Sequence, residues 1–215
     1  MNALIIANGT LPQAKIVRKL LGAADYIICA DGGANHARRL RIKPDIILGD
    51  LDSITPSTRK YFHDVEILYI PDQCSTDLEK AVRLCIANNI ASVDILGATG
   101  SRIDHSTGSL GCFKKFGKRI EMRIHDTNGT ISAVRKSTHL KVRKGEKISL
   151  IPLERCIGIT TKNLLYPLKN ESLELGVREG TSNQATAKHL SISVKKGMLL
   201  LYRFHAKTQE KLGVS

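Results

Sequence analysis

The stretch YIICADGGANHARRL, residues 26–40, contains the pattern on which the fold prediction rests. Residues 26–30 form a short apolar run with little alternation, which indicates a strand buried on both faces of a parallel sheet. Two glycines follow Asp31, and residues 33–40 then have the pattern of a helix. A strand that passes through a tight turn into a helix is the repeating unit of an α/β fold.

The same alternation extends through the first half of the chain. Further short strands are predicted by the apolar runs at residues 3–7, 45–48, 66–70 and 93–96. Helices are predicted between and after them, at residues 12–21, 55–62, 77–89 and 104–116. We therefore predict an open, doubly wound parallel α/β sheet for residues 1–118.

After about residue 118 the pattern changes to short strands separated by turn signals such as Asn128-Gly129 and Lys196-Gly197. These strands are predicted at residues 120–125, 130–134, 139–142, 147–152, 156–161, 172–175, 189–194 and 198–204. Regular short strands of this kind indicate an antiparallel β-sandwich domain, which we place at residues 119–207. A polar tail is expected at residues 208–215.

Length and composition limit the class of protein. With 215 residues the chain can form one large or two small domains with a sizeable core. No apolar run approaches the ~20 residues needed to cross a bilayer, and the N-terminal MNALIIANGT becomes polar too soon for a signal peptide. Five cysteines without a CxxC pair favour a reducing compartment, so we expect a cytoplasmic protein without a membrane partner.

Charge is distributed unevenly along the chain. Residues 1–104 contain 12 Lys+Arg and 12 Asp+Glu, whereas residues 105–215 contain 21 and 8 and so supply the whole net charge of +13. A basic region could contact nucleic acid, but its few aromatic residues are not interleaved with the basic runs. We expect a solvated basic face rather than a nucleic-acid site.

Four short motifs collect six aspartates where predicted strands end: DGGAN (31–35), GDLDS (49–53), DQCSTDLEKA (72–81) and GSRIDHS (100–106). Because ligands bind beyond the carboxyl ends of the strands in open α/β sheets, all four motifs should share one rim. Grouped carboxylates suit a hard divalent cation, and the interspersed Lys80 and Arg102 suit phosphate. The motifs therefore predict metal-dependent phosphate chemistry.

Two of these motifs have local structural explanations as well. Asp50 and Asp52 lie two residues apart on a segment expected to be extended, so both carboxylates can face one metal ion or a close pair. Taken alone, GDLDS is equally well explained as a turn with local backbone acceptors. Thr76 and Glu79 have the spacing of a capping box, which makes Asp77 the first helical residue and is compatible with a second role as a ligand.

The usual nucleotide-binding patterns are missing. The chain has no GxxxxGK[ST] and no GxGxxG, so any nucleotide has to bind at the acidic rim. GDLDS also contains the DxD of phosphatases with an aspartate nucleophile, in which Asp50 would be phosphorylated and Asp52 would act as the acid. That alternative leaves four residues without a coordinated role: Gln73, Thr76, Lys80 and Arg102.

The ordered set DGGAN, GDLDS, DQ-x-x-TD-x-x-KA and G-x-R-x-DH resembles the thiamine pyrophosphokinase family. LLYPL (164–168) and GTSNQ (180–184) are similar to that family's GLKYPL … G-x-SN-E segment, so the resemblance covers nearly the whole chain. It implies that the first domain binds ATP and Mg²⁺ and transfers the pyrophosphoryl group to the hydroxyl of thiamine, giving thiamine diphosphate and AMP. It also implies a homodimer in which the second domain binds thiamine in a cleft between subunits.

The resemblance further implies roles for individual residues. Mg²⁺ would be bound by Asp50, Asp52 and Asp77. The nucleotide and its phosphates would be contacted by Asp31, Gln73, Thr76, Lys80 and Arg102. Thiamine would be bound by Tyr166, Ser182 and Asn183. The expected catalytic group is Asp77, Lys80, Arg102 and Asp104, in which either Asp77 or Asp104 orients or deprotonates the hydroxyl.

Overall fold

The structure, a computed structural model, describes residues 1–100 and 102–205. The chain divides into two compact units, Met1–Thr127 and Asn128–Ser215. This division falls after the boundary predicted at residues 118/119, because the strand that follows residue 118 pairs in parallel with a strand of the first unit. The predicted polar tail, residues 208–215, lies outside the described residues, as do residues 206 and 207 of the predicted sandwich.

The described part of the first unit is a parallel sheet with helices between its strands. The strands are β1 (Asn2–Ile6), β2 (Tyr26–Ala30), β3 (Ile46–Gly49), β4 (Glu66–Tyr69), β5 (Ser92–Leu96) and β6 (Glu121–His125). The helices are α1 (Ala14–Leu21), α2 (Gly33–Leu40), α3 (Pro56–Tyr61), α4 (Asp77–Ala87) and α5 (Ile103–Phe116). Neighbouring strands pair in parallel in the order β6-β5-β1-β2-β3-β4, which confirms the predicted α/β sheet.

The path of the chain explains where α4 begins. Strands β1 to β4 are added outward in sequence, and α4 then returns the chain to β5 on the other side of β1. On this return α4 contacts β1, β2 and β3. Because α4 follows the carboxyl end of β4, its first residue, Asp77, starts at the rim where β2 and β3 also end.

Burial on both faces explains the unalternating strands. Leu4, Ile6 and Cys29 belong to a buried cluster that also contains residues of α1 and α2. Ile5 and Ile28 are fully buried as well, and strand geometry directs them to the opposite face. Two apolar faces leave no position for the polar residues of an alternating pattern.

The second unit contains antiparallel strands. They are β7 (Gly129–Ala133), β8 (Ser137–Lys141), β9 (Lys147–Pro152), β10 (Cys156–Lys162), β11 (Lys169–Leu173), β12 (Gly180–Gln184), β13 (His189–Ser193) and β14 (Leu199–Phe204). They are ordered β12-β9-β14-β7 and β11-β10-β13-β8. Ile148 and Leu201 of the first set share a buried core with Ile159 and Ile192 of the second, so the predicted β-sandwich is confirmed.

Strand β12 is the element that the apolar pattern did not predict. Its sequence GTSNQ has no hydrophobic alternation, yet Gly180 pairs with Leu150 and Asn183 with Ile148 of β9. Pairing with a neighbouring strand thus outweighs weak local propensity. Across the described ranges, no helix is both long and apolar enough to span a membrane.

Candidate functional site

Three aspartates converge at the rim of the first unit. Asp31 follows β2, Asp50 follows β3, and Asp77 is the first residue of α4. Each offers a carboxylate oxygen, and these oxygens lie within 4.8 Å of one another. We refer to Asp31, Asp50 and Asp77 as the carboxylate cluster.

Unusual backbone conformations allow this convergence. Asp31 has a φ of 43° and Gly49 a φ of 143°. A Cβ at position 49 would lie 2.9 Å from both Asp31 Cβ and Asp77 Oδ1. Glycine is therefore required at the end of β3, because a side chain there would occupy the space in which two of the carboxylates meet.

The electrostatics of the cluster favour a bound cation. Burial of Asp31 raises the pKa of its carboxyl, and the nearby charge of Asp77 raises this pKa further, against the lowering effect of hydrogen bonds from Ser53 and Gly32. Carboxylates that disfavour one another's charge are stabilised by a divalent ion, and an all-oxygen donor set suits a hard cation such as Mg²⁺. The residues present therefore fit the metal that the sequence predicted.

Three further predicted residues lie around the cluster. Lys80 Nζ donates a hydrogen bond to Asp77 Oδ1 at 2.9 Å, and its side chain is almost fully buried. Gln73 Nε2 donates to Asp50 Oδ2 at 3.2 Å. Thr76 caps α4 by accepting from the Glu79 N–H at 3.2 Å. The structure thus brings Gln73, Thr76 and Lys80 of the DQCSTDLEKA motif to the carboxylate cluster.

The capping box predicted for Thr76 and Glu79 is only half formed. The Glu79 carboxylate is buried and accepts a hydrogen bond from Lys115 Nζ of α5 at 2.5 Å. A tertiary ion pair between α4 and α5 has therefore replaced the expected return contact to the backbone of Thr76.

Asp52 lies apart from the cluster. The extended conformation predicted for GDLDS is wrong, because Leu51, between Asp50 and Asp52, has a left-handed φ of 64°. The exposed Asp52 carboxylate instead accepts a hydrogen bond from Ser53 Oγ at 2.8 Å. Asp31, which the sequence assigned to the nucleotide, is instead the third member of the carboxylate cluster. Its position directly after an apolar strand was the signal that could have identified it.

Arg102 and Asp104 form an exposed pair at the start of α5. The guanidinium donates to both carboxylate oxygens, with Nη2–Oδ2 at 2.5 Å and Nε–Oδ1 at 3.3 Å. The hydrogen bond from Arg102 is the main reason that the pKa of Asp104 is lowered to about 2. Among the described residues, Asp104 is not part of the carboxylate cluster.

The predicted thiamine residues come together in the second unit. Tyr166 is 66% exposed, whereas Asn183 is only 6% exposed and makes hydrogen bonds to the main chain of Tyr166. Ser182 precedes Asn183, is exposed, and has a φ of 57°. Tyr166 and Ser182 are thus both exposed, and the buried amide of Asn183 connects the two segments that carry them.

Comparisons with known proteins cover both units. The family model described as "Thiamin pyrophosphokinase, catalytic domain" matches residues 17–125, and "Thiamin pyrophosphokinase, vitamin B1 binding domain" matches residues 134–199. The chain is 30% identical to Thiamine pyrophosphokinase 1 of Oryza sativa subsp. japonica, over 84% of this chain and 79% of that protein.

Solved structures agree with these matches. The crystal structure of thiamine pyrophosphokinase from Bacillus subtilis superposes with a TM-score of 0.83 at 26% identity, covering 96% of this chain and all of that chain. Thiamin pyrophosphokinase from Candida albicans has a TM-score of 0.83 at 19% identity, over 95% of this chain and 89% of that one, and shows the same fold.

Proposed function

This chain belongs to the thiamine pyrophosphokinase family, and from that premise we infer that it transfers the pyrophosphoryl group of ATP to the hydroxyl of thiamine. The products are thiamine diphosphate and AMP. The observation that carries this inference is that the catalytic and vitamin B1-binding models match successive parts of the chain, residues 17–125 and 134–199.

We propose that Mg²⁺ binds to Asp31, Asp50 and Asp77. Support comes from their carboxylate oxygens, which lie within 4.8 Å of one another, and from the raised pKa of Asp31. When bound, the cation would neutralise charge on the phosphate oxygens of ATP. The assignment of Asp52 to the metal, made from the sequence, stays a prediction.

The positive groups of the first unit act on the phosphates in this proposal. Lys80 lies beside Asp77 and offers a buried ammonium whose remaining protons can reach a phosphate oxygen. Arg102 is exposed, and Nη1 of its planar guanidinium can donate to a phosphate oxygen while Nε and Nη2 stay paired with Asp104. Gln73 and Thr76 act indirectly, since they hold Asp50 and the start of α4.

The choice between the two candidate bases follows from the Arg102 pair. Asp104 is already occupied by two hydrogen bonds from Arg102, whereas Asp77 lies in the carboxylate cluster. We therefore assign Asp104 to the orientation of Arg102, and we propose that Asp77 orients the attacking hydroxyl of thiamine. In-line positioning and charge neutralisation supply most of the rate in reactions of this class.

For the second substrate we propose that thiamine lies against Tyr166 and that Ser182 contacts its aminopyrimidine ring. The exposed ring of Tyr166 suits a planar cationic ligand. The family resemblance further leads us to propose a homodimer with this site at the subunit interface. A cytoplasmic location is proposed because all five cysteines are free thiols, four of them buried.

The test is an assay with purified protein, ATP, Mg²⁺ and thiamine in which the nucleotide products are resolved. We expect AMP to form only with thiamine, in equal amount to thiamine diphosphate. ADP together with thiamine monophosphate would contradict the reaction type. A trapped aspartyl-phosphate without AMP would instead support the phosphatase alternative.

A further inference from the structure

The Asn183 carboxamide holds both main-chain polar groups of Tyr166. Its Oδ1 accepts from the Tyr166 N–H at 3.0 Å, and its Nδ2 donates to the Tyr166 carbonyl oxygen at 2.7 Å. Oδ1 also accepts from the Gln184 N–H at 2.9 Å. One buried side chain thus fixes the backbone of an exposed aromatic residue.

These bonds use up the acceptor capacity of the amide. A carboxamide oxygen has two lone pairs, and both are occupied by backbone N–H groups. Rotating the amide by 180° would set its NH₂ against two donors and its oxygen against a carbonyl, so the network fixes its orientation. With Asn183 6% exposed, no acceptor remains for an amino group of a ligand.

A β-bulge separates the roles of Ser182 and Asn183. Gly180 pairs with Leu150 and Asn183 with Ile148, so β12 advances by three residues while β9 advances by two. Inside the bulge the Ser182 N–H donates to Ser149 Oγ at 3.0 Å. A bulge re-aims side chains locally, and here the hydroxyl of Ser182 is exposed while the amide of Asn183 is buried.

The segment that carries Tyr166 has few other constraints at its centre. The Leu165 N–H bonds to the Gln184 carbonyl at 2.8 Å, and the Leu168 N–H bonds to Thr161 Oγ1 at 2.9 Å. Between them Pro167 has no N–H to donate. The conformation of Tyr166 therefore depends on Asn183.

We propose that Asn183 is a positioning residue for thiamine: it acts by holding Tyr166, since its oxygen has no lone pair left for the ligand. This inference rests on the proposed function. A ring whose backbone attachment is already held in place loses less conformational freedom when the ligand binds, so thiamine should bind more tightly. The Asn183 amide, which the sequence analysis assigned to the aminopyrimidine ring, thus holds the backbone of Tyr166.

The test is a double-mutant cycle with Asn183→Ala, Tyr166→Ala and both changes together. The readouts are thiamine binding by calorimetry and the KM values for thiamine and ATP. Each single change should weaken thiamine binding roughly 10-fold, the scale of a partly desolvated cation–π contact, with much smaller effects on kcat and on the KM for ATP. The double variant should bind no worse than Tyr166→Ala. Additive losses would overturn the proposal, because they would mean that Asn183 acts independently of Tyr166.

Thr161→Val is the matched control. It removes the buried oxygen that accepts from Leu168, while the backbone bond from Thr161 N–H to the Leu168 carbonyl, 2.9 Å, remains. We expect a loss of stability similar to that of Asn183→Ala with unchanged thiamine binding. Equal weakening of thiamine binding in both variants would reduce the role of Asn183 to general stability and overturn the proposal.

Hydrogen exchange of the Tyr166 amide proton gives a readout that does not depend on activity. It should be protected in the wild-type protein and exchange faster in Asn183→Ala. If the enzyme is active but the Tyr166 amide proton is equally protected in Asn183→Ala, the positioning role of Asn183 is contradicted while the proposed function stands. Wild-type protein that makes no thiamine diphosphate would contradict the proposed function, and with it the role in thiamine binding.

Discussion

Asp31 and Leu51 both adopt positive φ values, 43° and 64°, on the two loops that carry the candidate site. Such conformations are unfavourable for residues with a side chain and persist where the surrounding structure holds them. Asp31 is held by its N–H, which donates to the Leu48 carbonyl at 2.7 Å, and by Ser53, whose N–H donates to Asp31 Oδ1 at 3.3 Å. The position of the Asp31 carboxylate therefore depends on the backbone conformation of single residues and on the hydrogen bonds that hold them.

The first prediction separates the carboxylate cluster from Asp52. Asp31→Asn, Asp50→Asn and Asp77→Asn keep the side-chain shape but remove a charged ligand, so each should lower turnover at fixed Mg²⁺ by at least about 100-fold, the upper end for lost metal-site partners. Asp52→Asn is the matched control and should lose less than about tenfold. The measurement is thiamine diphosphate formation as a function of Mg²⁺ concentration.

A stability readout complements that assay. Without Mg²⁺, Asp31→Asn should raise the thermal midpoint, since it removes a buried charge that lies near Asp77. If Asp52→Asn were inactive while Asp31→Asn kept its turnover, the result would support Asp52 as the metal ligand predicted from the sequence. It would contradict Asp31 as a metal ligand.

Gly49 gives the second prediction. Gly49→Ala should destabilise the protein by about 2 kcal/mol and abolish turnover, because its Cβ would meet Asp31 and Asp77 at 2.9 Å on a strained backbone. Gly111→Ala is the control, since a Cβ at that helical position meets no atom within 4 Å. It should stabilise by up to ~1 kcal/mol with normal activity. Urea unfolding and the product assay measure both effects, and an active Gly49→Ala would contradict the crowded geometry.

At the scale of elements, helix α4 connects stability with the site through its first turn. Thr76 and Thr55 are the N-caps of α4 and α3, and their side chains accept from backbone N–H groups at 3.2 and 3.3 Å. Thr76→Ala and Thr55→Ala should each cost about 1 kcal/mol in the free energy of unfolding. Only Thr76→Ala should lower kcat, because only α4 begins with a cluster residue. Equal kcat values in the two variants would contradict this role.

Strands β5 and β6 are joined by a buried ionic network that the sequence motifs did not reveal. Asp94 accepts hydrogen bonds from His125 at 2.7 Å and from Arg123 Nε at 2.8 Å and Nη2 at 3.0 Å. Burial alone would raise the pKa of Asp94, but these donors outweigh it and hold the pKa well below its usual range. His125 thus has a structural role in this network.

The network predicts a pH dependence of stability. Because the pKa of Asp94 is lower in the folded state than in the unfolded chain, its contribution is complete above about pH 4 and is lost as pH falls toward the folded pKa. Asp94→Asn should lower stability at neutral pH by roughly 3 kcal/mol and flatten the decline below pH ~4. Asp64→Asn, which removes an exposed partner of Lys43, should leave the acid decline nearly unchanged. An unaltered pH profile in Asp94→Asn would contradict the assignment.

At the scale of the whole molecule, the net charge of +13 should destabilise the compact state through repulsion. Raising NaCl from about 10 to 150 mM shortens the screening length from roughly 30 to 8 Å. We therefore expect the thermal midpoint to rise with NaCl, and to rise more at pH 6 than at pH 9, close to the isoelectric point of about 9.7. A midpoint that falls with NaCl would show that ion pairs outweigh the repulsion.

Much of this architecture could be predicted because its signals are local. Apolar runs and turn residues predicted the parallel sheet and the sandwich, and the ends of the strands predicted a shared rim. Long-range pairing lies outside such signals. The strand β6 pairs in parallel with β5 and so belongs to the first unit, and β12 forms through its pairing with β9 despite a polar sequence.

By itself the sequence determined the order of the two folds, the acidic rim and the residue set from which the site is built. These features depend on residue types and on their spacing along strands and helices, both of which can be taken directly from the sequence. Only the tertiary structure decided that Asp31 joins Asp50 and Asp77 while Asp52 turns away, and that Asn183 is buried against Tyr166. Those choices depend on backbone dihedral angles and on contacts between residues distant in sequence, which no local pattern specifies.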